Sequence, residues 1–199
     1  MYDEEGKPTL NKGELVCKSS IPSMPIGFWN DKKKQKYKAS YFSIFENIWS
    51  QGDFAQYTKN GGLIIYGRSD ATLNPGGVRI GTSEIYRVVE SFAEIDESVA
   101  VGQLWRNDVR IILFVTLNHS FKLNSQLIDE IKEKIKKTAS IRHIPSKIIE
   151  VSDIPRTRSG KITELTVRDA INGIKIKNHE ALANPECLIQ YQNIEELKN

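Results

Sequence analysis

Apolar and polar positions change rhythm along this chain, and the second half has the clearer pattern. Ile85, Val88 and Val89 share one face at helical spacing, with Thr82 placed to cap a helix that runs through Glu84 to about Phe92. Two nearly continuous apolar runs follow, Ser98 to Trp105 and Val109 to Leu117, separated by a turn at Arg106-Asn107-Asp108; their length and flanks read as strands. Leu127, Ile128, Ile131 and Ile135 stripe a charged helix from Ser125 to about Thr138. Lys147 to Val151 predicts a further strand, and Ile162 to about Ile171 a last helix with Ile162, Leu165 and Ala170 among its apolar positions. Helix, two strands, helix, strand, helix predicts a compact α+β domain with helices packed on a small mixed sheet.

The first seventy residues read differently. Gly13 to Cys17 is a strand candidate, and the aromatic run Phe42 to Trp49 suits a buried strand or connection. The basic run Lys32 to Lys38 reads as a solvated surface loop, since no aromatic platform or second basic run accompanies it. Phe54 to Tyr57 and Leu63 to Tyr66 flank a Lys59-Asn60-Gly61-Gly62 turn, the pattern of a β-hairpin. This β-rich segment shows no independent core and reads as the edge of something larger. The texture changes between Asp70 and Leu73, which divides the chain into 1–70 and 71–199. The tail from Ala181 to Asn199, with Pro185 and scattered apolar residues, either packs as an extension or frays.

Composition narrows the function classes without choosing one. Hydrophobic residues at 39% and charged residues at 27% suit a soluble globular protein. A formal net charge of +3 is too small to argue for nucleic acid or an anionic membrane as partner. Cys17 and Cys187 lie far apart outside any C-x-x-C pattern, and His119, His143 and His179 lack metal-ligand spacing. Zinc and a disulfide framework are disfavoured, and a reducing, cytoplasmic location fits. The opening MYDEEGKPTL has no apolar segment of the signal-peptide kind. Val109 to Leu117, interrupted by Arg110 and Thr116, is too short to span a bilayer.

Candidate chemistry gathers around Gly67 to Tyr86, GRSDATLNPGGVRIGTSEIY, where four glycines crowd between an apolar strand and a helix. Glycine is entropically costly to order, so such density marks sharp turns or close backbone approach to a ligand. Arg68 and Arg79, at its edges, suit phosphate or ribose oxygens. Asp53, directly after Gly52 at a strand end, is either a carboxylate for a ribose diol or an ordinary turn residue. Arg68 and Asp70 form a surface ion pair, or serve the nucleotide and a hinge respectively. The glycines at 76, 77 and 81 do not give the dinucleotide fingerprint. Nor is Gly160-Lys161 a phosphate loop: Pro155 stands where its first glycine belongs, and Ile162 follows the lysine. Lys161 ends a mobile-looking loop, Thr157 to Gly160, and starts a helix; it is either a surface lysine or a cation that swings in to neutralise charge at a phosphate. Arg156 and Arg158 read as solvated or loosely phosphate-facing. Lys136, Lys137, Arg142 and His143 make a small basic patch, explained by a helix end or by phosphates of a bound nucleotide.

Taken together, W-x-x-G-D-F, then GR-S-D-x-x-L-N-x-x-G-x-R-I-G-x-x-E-I, then P-R-T-x-S-G-K resemble, in order and spacing, the ribose-binding, hinge and lysine motifs of the adenylate-forming acyl-CoA synthetases. The likeness covers nearly the whole chain and is nearest to members that activate acetoacetate, carried also by GELVCKSSIPSMPIGFWND, KASYFSIFENIWSQGDFAQ, RHIPSKIIEVSDIPRTRSGK and the late NPECL segment. The resemblance implies an ATP-dependent ligase that joins acetoacetate to coenzyme A, releasing AMP and diphosphate. It implies that Asp53 binds ribose hydroxyls with Arg68 nearby, that Asp70 is the hinge, and that Arg79 contacts phosphate. It further implies that Gly77 lines the pantetheine tunnel, that Lys136 and Arg142 meet phosphates of coenzyme A, and that Lys161 is catalytic. Members of the superfamily have a much larger N-terminal domain, which holds the phosphate loop, the acyl pocket and the Mg²⁺ ligand. The expectation is therefore that residues 1–70 are the end of that domain and 71–199 the mobile C-terminal domain, incompetent alone: a gene fragment, a truncated sequence, or one half of a split enzyme whose N-terminal portion is a separate chain. A non-catalytic module that binds coenzyme A or a protein partner is the alternative, as is a fragment of another short-chain ligase such as acetyl-CoA synthetase.

Overall fold

A computed structural model describes residues 1–176 and 179–199, and within it the chain separates into two compact units, Met1–Asp70 and Ala71–Asn199.

The first unit is a three-stranded antiparallel sheet ordered β1-β2-β3, formed by β1 (Gly13–Cys17), β2 (Trp49–Tyr57) and β3 (Leu63–Arg68). The hairpin forms where the N-G-G turn places it, with Gly61 at φ 80 supplying the left-handed turn conformation. The aromatic run behaves otherwise than its composition suggests. Of Phe42–Trp49 only Trp49 is buried, and it opens β2; Ile44 is 60% exposed, and the residues between form bends. Nor is the basic run all loop, because helix α1 (Gln35–Tyr41) takes up its second half. Tyr37 is the reason: its ring packs edge-on against Phe28 and Tyr41, and Tyr41 against Trp49, so aromatic contacts order residues whose lysines face water.

The second unit is built on a mixed sheet ordered β4-β5-β6, with β4 (Ile95–Trp105) antiparallel to β5 (Asp108–Leu117) and β5 parallel to β6 (Lys147–Glu150). The parallel step needs a crossover, which α3 (Ser125–Thr138) provides. Alternation along β5 explains why that run is apolar throughout. Ile111, Leu113 and Val115 face a core with Ile85 and Val89 of α2 (Thr82–Val89) and Leu127, Ile131 and Ile135 of α3. Ile112 and Phe114 face a second core with Val167 of α4 (Glu164–Ile171), Ile154 and Tyr191. Each such fully buried aliphatic contributes about 1.5–3 kcal/mol. The tail is part of this second core: Leu188, Tyr191 and Leu197 are buried, so it packs and does not fray.

The cap of α2 differs from the expectation, whereas α3 keeps its expected bounds. Gly81 holds the extended N-cap position before α2 and Thr82 is the first helical residue, with no side-chain cap. Asn124 caps α3, its side chain accepting from the Leu127 N–H at 2.9 Å. Among the described residues no helix is long and apolar enough to cross a membrane.

Candidate functional site

In the first unit, pairing of β2 with β3 sets Asp53 opposite Arg68. Asp53 therefore lies inside a strand and not at a strand end, next to a register shift at Phe54/Ala55. The guanidinium Nη1 of Arg68 stands 3.6 Å from Asp53 Oδ1, and its Nε donates to Asp70 Oδ1 at 3.3 Å. A further bond from Nη1 to the Gln51 carbonyl, at 2.5 Å, locks the group in place. Gly52 makes this possible twice over. Its φ is +79, and a Cβ there would fall 2.6 Å from Arg68 Nη2. Partial burial disfavours the Arg68 charge, but the carboxylates of Asp70, then Asp53 and Glu14, outweigh it and raise its pKa. Asp53, Arg68 and Asp70 thus form one charged group at the end of the sheet.

The second unit brings together another set. Leu73 and Ile80, both buried, pair across the loop Asn74–Arg79 and close it. Within it Gly76 (φ 56) and Gly77 (φ 77) are exposed, and the Gly76 N–H donates to the carboxylate of Asp108 at 3.1 and 3.2 Å. Arg142 lies over this loop, its Nη1 3.7 Å from where a Gly76 Cβ would sit. His143 holds Arg142 there: its ring bonds Glu84 of α2 at 2.8 Å and Ser140 at 2.8 Å. His143 is accordingly a structural tie, a fact hidden from sequence because Glu84 lies 59 positions away. Lys136 is exposed on the last turn of α3, 3.6 Å from Glu133. Arg79 is exposed at the edge of the glycine loop.

Lys161 is carried by a third element. It does not start a helix; α4 begins at Glu164. Residues 156–162 form a tight hairpin, with Arg156 bridged to Ile162 and the Thr157 N–H bonded to the Lys161 carbonyl at 2.8 Å. Gly160, at φ 82, makes the turn. Lys161 is exposed, and its ammonium takes no ion pair among the described residues. Arg156, by contrast, is half-buried and held: it pairs with Glu97 of β4 and donates to the Gly160 carbonyl at 2.7 Å. The side chain of Thr157 adds a bond from the Lys161 N–H at 3.1 Å. A loop that looked mobile is thus fastened on both arms.

Among the described residues no three His, Cys, Asp or Glu side chains gather to hold a metal ion.

A small mixed sheet bearing a glycine loop and a lysine hairpin, preceded by a strand-paired Asp–Arg, matches the C-terminal portion of the acyl-CoA synthetases. The particular relatives are acetoacetyl-CoA synthetases, and the chain is similar to their C-terminal portion. It is 56% identical over 200 residues to acetoacetyl-coenzyme A synthetase of Rhizobium meliloti (strain 1021), covering 100% of this chain and 31% of that protein. To acetoacetyl-CoA synthetase of Xenopus tropicalis it is 43% identical over 201 residues, 100% of this chain and 30% of the relative. Among solved structures, acetoacetyl-CoA synthetase from Streptomyces lividans superposes with a TM-score of 0.90 at 37% identity, covering 100% of this chain and 30% of that one. No family model matches the chain. The chain spans about a third of the length of these relatives.

Proposed function

We propose that this chain serves as the C-terminal part of an ATP-dependent acetoacetate–CoA ligase and is inactive without the remainder of such an enzyme. The observation that carries the reading is the match to the Rhizobium meliloti synthetase along the whole chain at 56% identity.

In the first half-reaction a carboxylate oxygen of acetoacetate bonds to the α-phosphorus of ATP, and the P–O bond to the departing diphosphate breaks. Such a displacement needs positioning and charge neutralisation more than covalent help. Asp53 would accept hydrogen bonds from the ribose hydroxyls, its orientation set by Arg68. Arg79 would contact phosphate. Lys161, an exposed ammonium on a fastened hairpin, would offset negative charge on the attacking carboxylate and the phosphoryl oxygens. In the second half-reaction the coenzyme A sulfur gives up its proton and bonds to the acyl carbon, and the C–O bond to AMP breaks. Gly77 would line the pantetheine passage, with Arg142 beside the same loop and Lys136 on the last turn of α3 as partners for phosphates.

On this reading residues 1–70 close a large adenylate-forming domain and 71–199 form a mobile one, with Asp70 as hinge between half-reactions. The Mg²⁺ ion that the resemblance implies would be held by residues outside this chain. The substrates are small molecules, the site of action cytoplasmic, and an N-terminal portion, on the same or a separate chain, is the required partner.

The test is a chimera in which this chain replaces the matching 200 residues of the Rhizobium meliloti enzyme. Acetoacetate-dependent pyrophosphate exchange is expected from the chimera and none from the chain alone. A folded chimera without exchange overturns the ligase reading, and exchange by the isolated chain overturns its dependence on a partner.

A further inference from the structure

The hairpin bearing Lys161 is small, and Arg158, Ser159 and Gly160 at its tip are exposed. A two-stranded turn of this size is marginal in water by itself. A segment of the tail steadies it through an isolated bridge. Leu182 pairs antiparallel with Thr157, the Arg158 N–H donates to the Ala181 carbonyl at 3.3 Å, and the Ala183 N–H donates to the Arg156 carbonyl at 2.8 Å.

Asn184 completes the join. Its Oδ1 accepts from the Arg156 N–H at 2.9 Å, while its Nδ2 donates to Asp153 Oδ2 at 2.6 Å and to the Ile154 carbonyl at 2.9 Å. One half-buried amide thus grips the segment entering the hairpin at Asp153, Ile154 and Arg156. Asn184 also precedes the short 3₁₀ segment Pro185–Tyr191, where an asparagine would ordinarily cap; here it makes no such bond, its amide being used on the loop. Beyond it the tail is anchored. Cys187, Leu188 and Tyr191 are buried, the Tyr191 ring stacks edge-on to Phe114 at 4.9 Å, and its hydroxyl donates to the Asp153 carbonyl at 2.8 Å.

We propose that Asn184 is a positioning residue for Lys161, and that residues 181–191 are a strap that sets the lysine hairpin for adenylation. The proposal rests on the reading of Lys161 given above. Asn184 touches no reacting atom; it acts by fixing the backbone that carries the ammonium, where a displacement of about 1 Å can cost on the order of 100-fold. Since Lys161 serves only the first half-reaction, the effect is confined to that step.

The experiment compares Asn184→Ala, Lys161→Ala and the double variant in the chimera, together with amide hydrogen exchange on the chain itself. Asn184→Ala is expected to lower the kcat of pyrophosphate exchange by about 10- to 100-fold with the KM for ATP unchanged. Thioester formation from supplied acetoacetyl-adenylate should stay within about twofold, and the substitution should add nothing in the Lys161→Ala background. Amides of 156–161 should exchange faster in Asn184→Ala and at the parental rate in Lys161→Ala. Equal losses in both half-reactions, or unchanged exchange at 156–161, overturns the positioning role. If Lys161→Ala itself leaves pyrophosphate exchange intact, the assignment of the lysine fails, and the proposal for Asn184 falls with it.

Discussion

The phenol of Tyr86 donates a hydrogen bond to the Glu164 carboxylate at 2.6 Å, tying α2 to the first turn of α4. The same oxygen accepts from the Ala100 N–H at 3.1 Å. Ala100 lies in β4, which among the described residues is an edge strand paired with β5, so Tyr86 satisfies a main-chain donor that the sheet leaves open. Burial, and then the Glu164 charge, push the phenol well above its ordinary pKa, so it stays a donor even at alkaline pH. Glu164 stands three residues past Lys161, so this contact also fixes where α4 leaves the lysine hairpin.

Tyr86→Phe removes the donor for Glu164 and the acceptor for Ala100 in one change. The expected cost is about 1–3 kcal/mol, the range for leaving buried polar groups unmet. Urea denaturation should show a lower midpoint with an unchanged slope, while Glu164→Gln, which keeps an acceptor oxygen, should cost less. Equal stability of Tyr86→Phe and the parent would sink the account of this contact.

Gly52→Ala probes the Asp53–Arg68 pair from the backbone side. An alanine there must adopt φ near +79, at roughly 1–2 kcal/mol. Its Cβ also displaces the Arg68 guanidinium from Gln51 and Asp70. The clash falls on the flexible end of a side chain, so the sheet should persist. In the chimera the KM for ATP should rise several-fold, because Asp53 loses the cation that orients it. A variant with parental KM would show that Arg68 does not position Asp53 for nucleotide.

Much of the architecture was legible because period and length agree in the second unit. The continuous run in β5 can be apolar throughout only if both faces are covered, and Ile112 and Ile111 indeed face different cores. Less was legible where ordering comes from contacts distant in sequence. Helix α1 depends on Tyr37 meeting Phe28 and Tyr41 meeting Trp49, both partners lying outside the helix's lysine-rich sequence. The candidate site divides in the same way. Gly76, Gly77 and Lys161 could be picked out from turn chemistry, whereas Glu97, Asp108 and Asn184, which hold those loops, are ordinary polar residues until the fold places them. Arg156 seemed solvated for that reason: Glu97 lies 59 positions away.

Lys161→Gln removes the ammonium while keeping length and polarity, as acetylation would. Pyrophosphate exchange in the chimera should fall by at least about 100-fold, in the range of lost electrostatic stabilisation of a transition state. The hairpin should be unaffected, since its bonds to Lys161 use main-chain atoms. Thioester formation from supplied adenylate should remain within about twofold. Parental exchange rates would remove Lys161 from the chemistry.

Cys187 offers a test of how the tail packs. It is buried, and that burial, with the charges of Asp153 and Glu186 adding to it, pushes its thiol up to about 11. An unfolded thiol ionises near its ordinary value of about 8.5. Between those values the unfolded chain holds fewer protons than the folded one, so stability falls as pH rises; below the unfolded value the contribution is fully present. The loss should reach roughly 2.5 kcal/mol by about pH 10.5. Tyr191, also raised, chiefly by burial, acts in the same direction at still higher pH. Urea titrations at neutral and alkaline pH should therefore show the parent losing more stability than Cys187→Ala, whose cavity cost does not depend on pH. At neutral pH a thiol reagent should modify the half-buried Cys17 before Cys187. Parallel pH profiles for parent and variant, or faster modification of Cys187, would mean that the tail does not seal this thiol against the sheet.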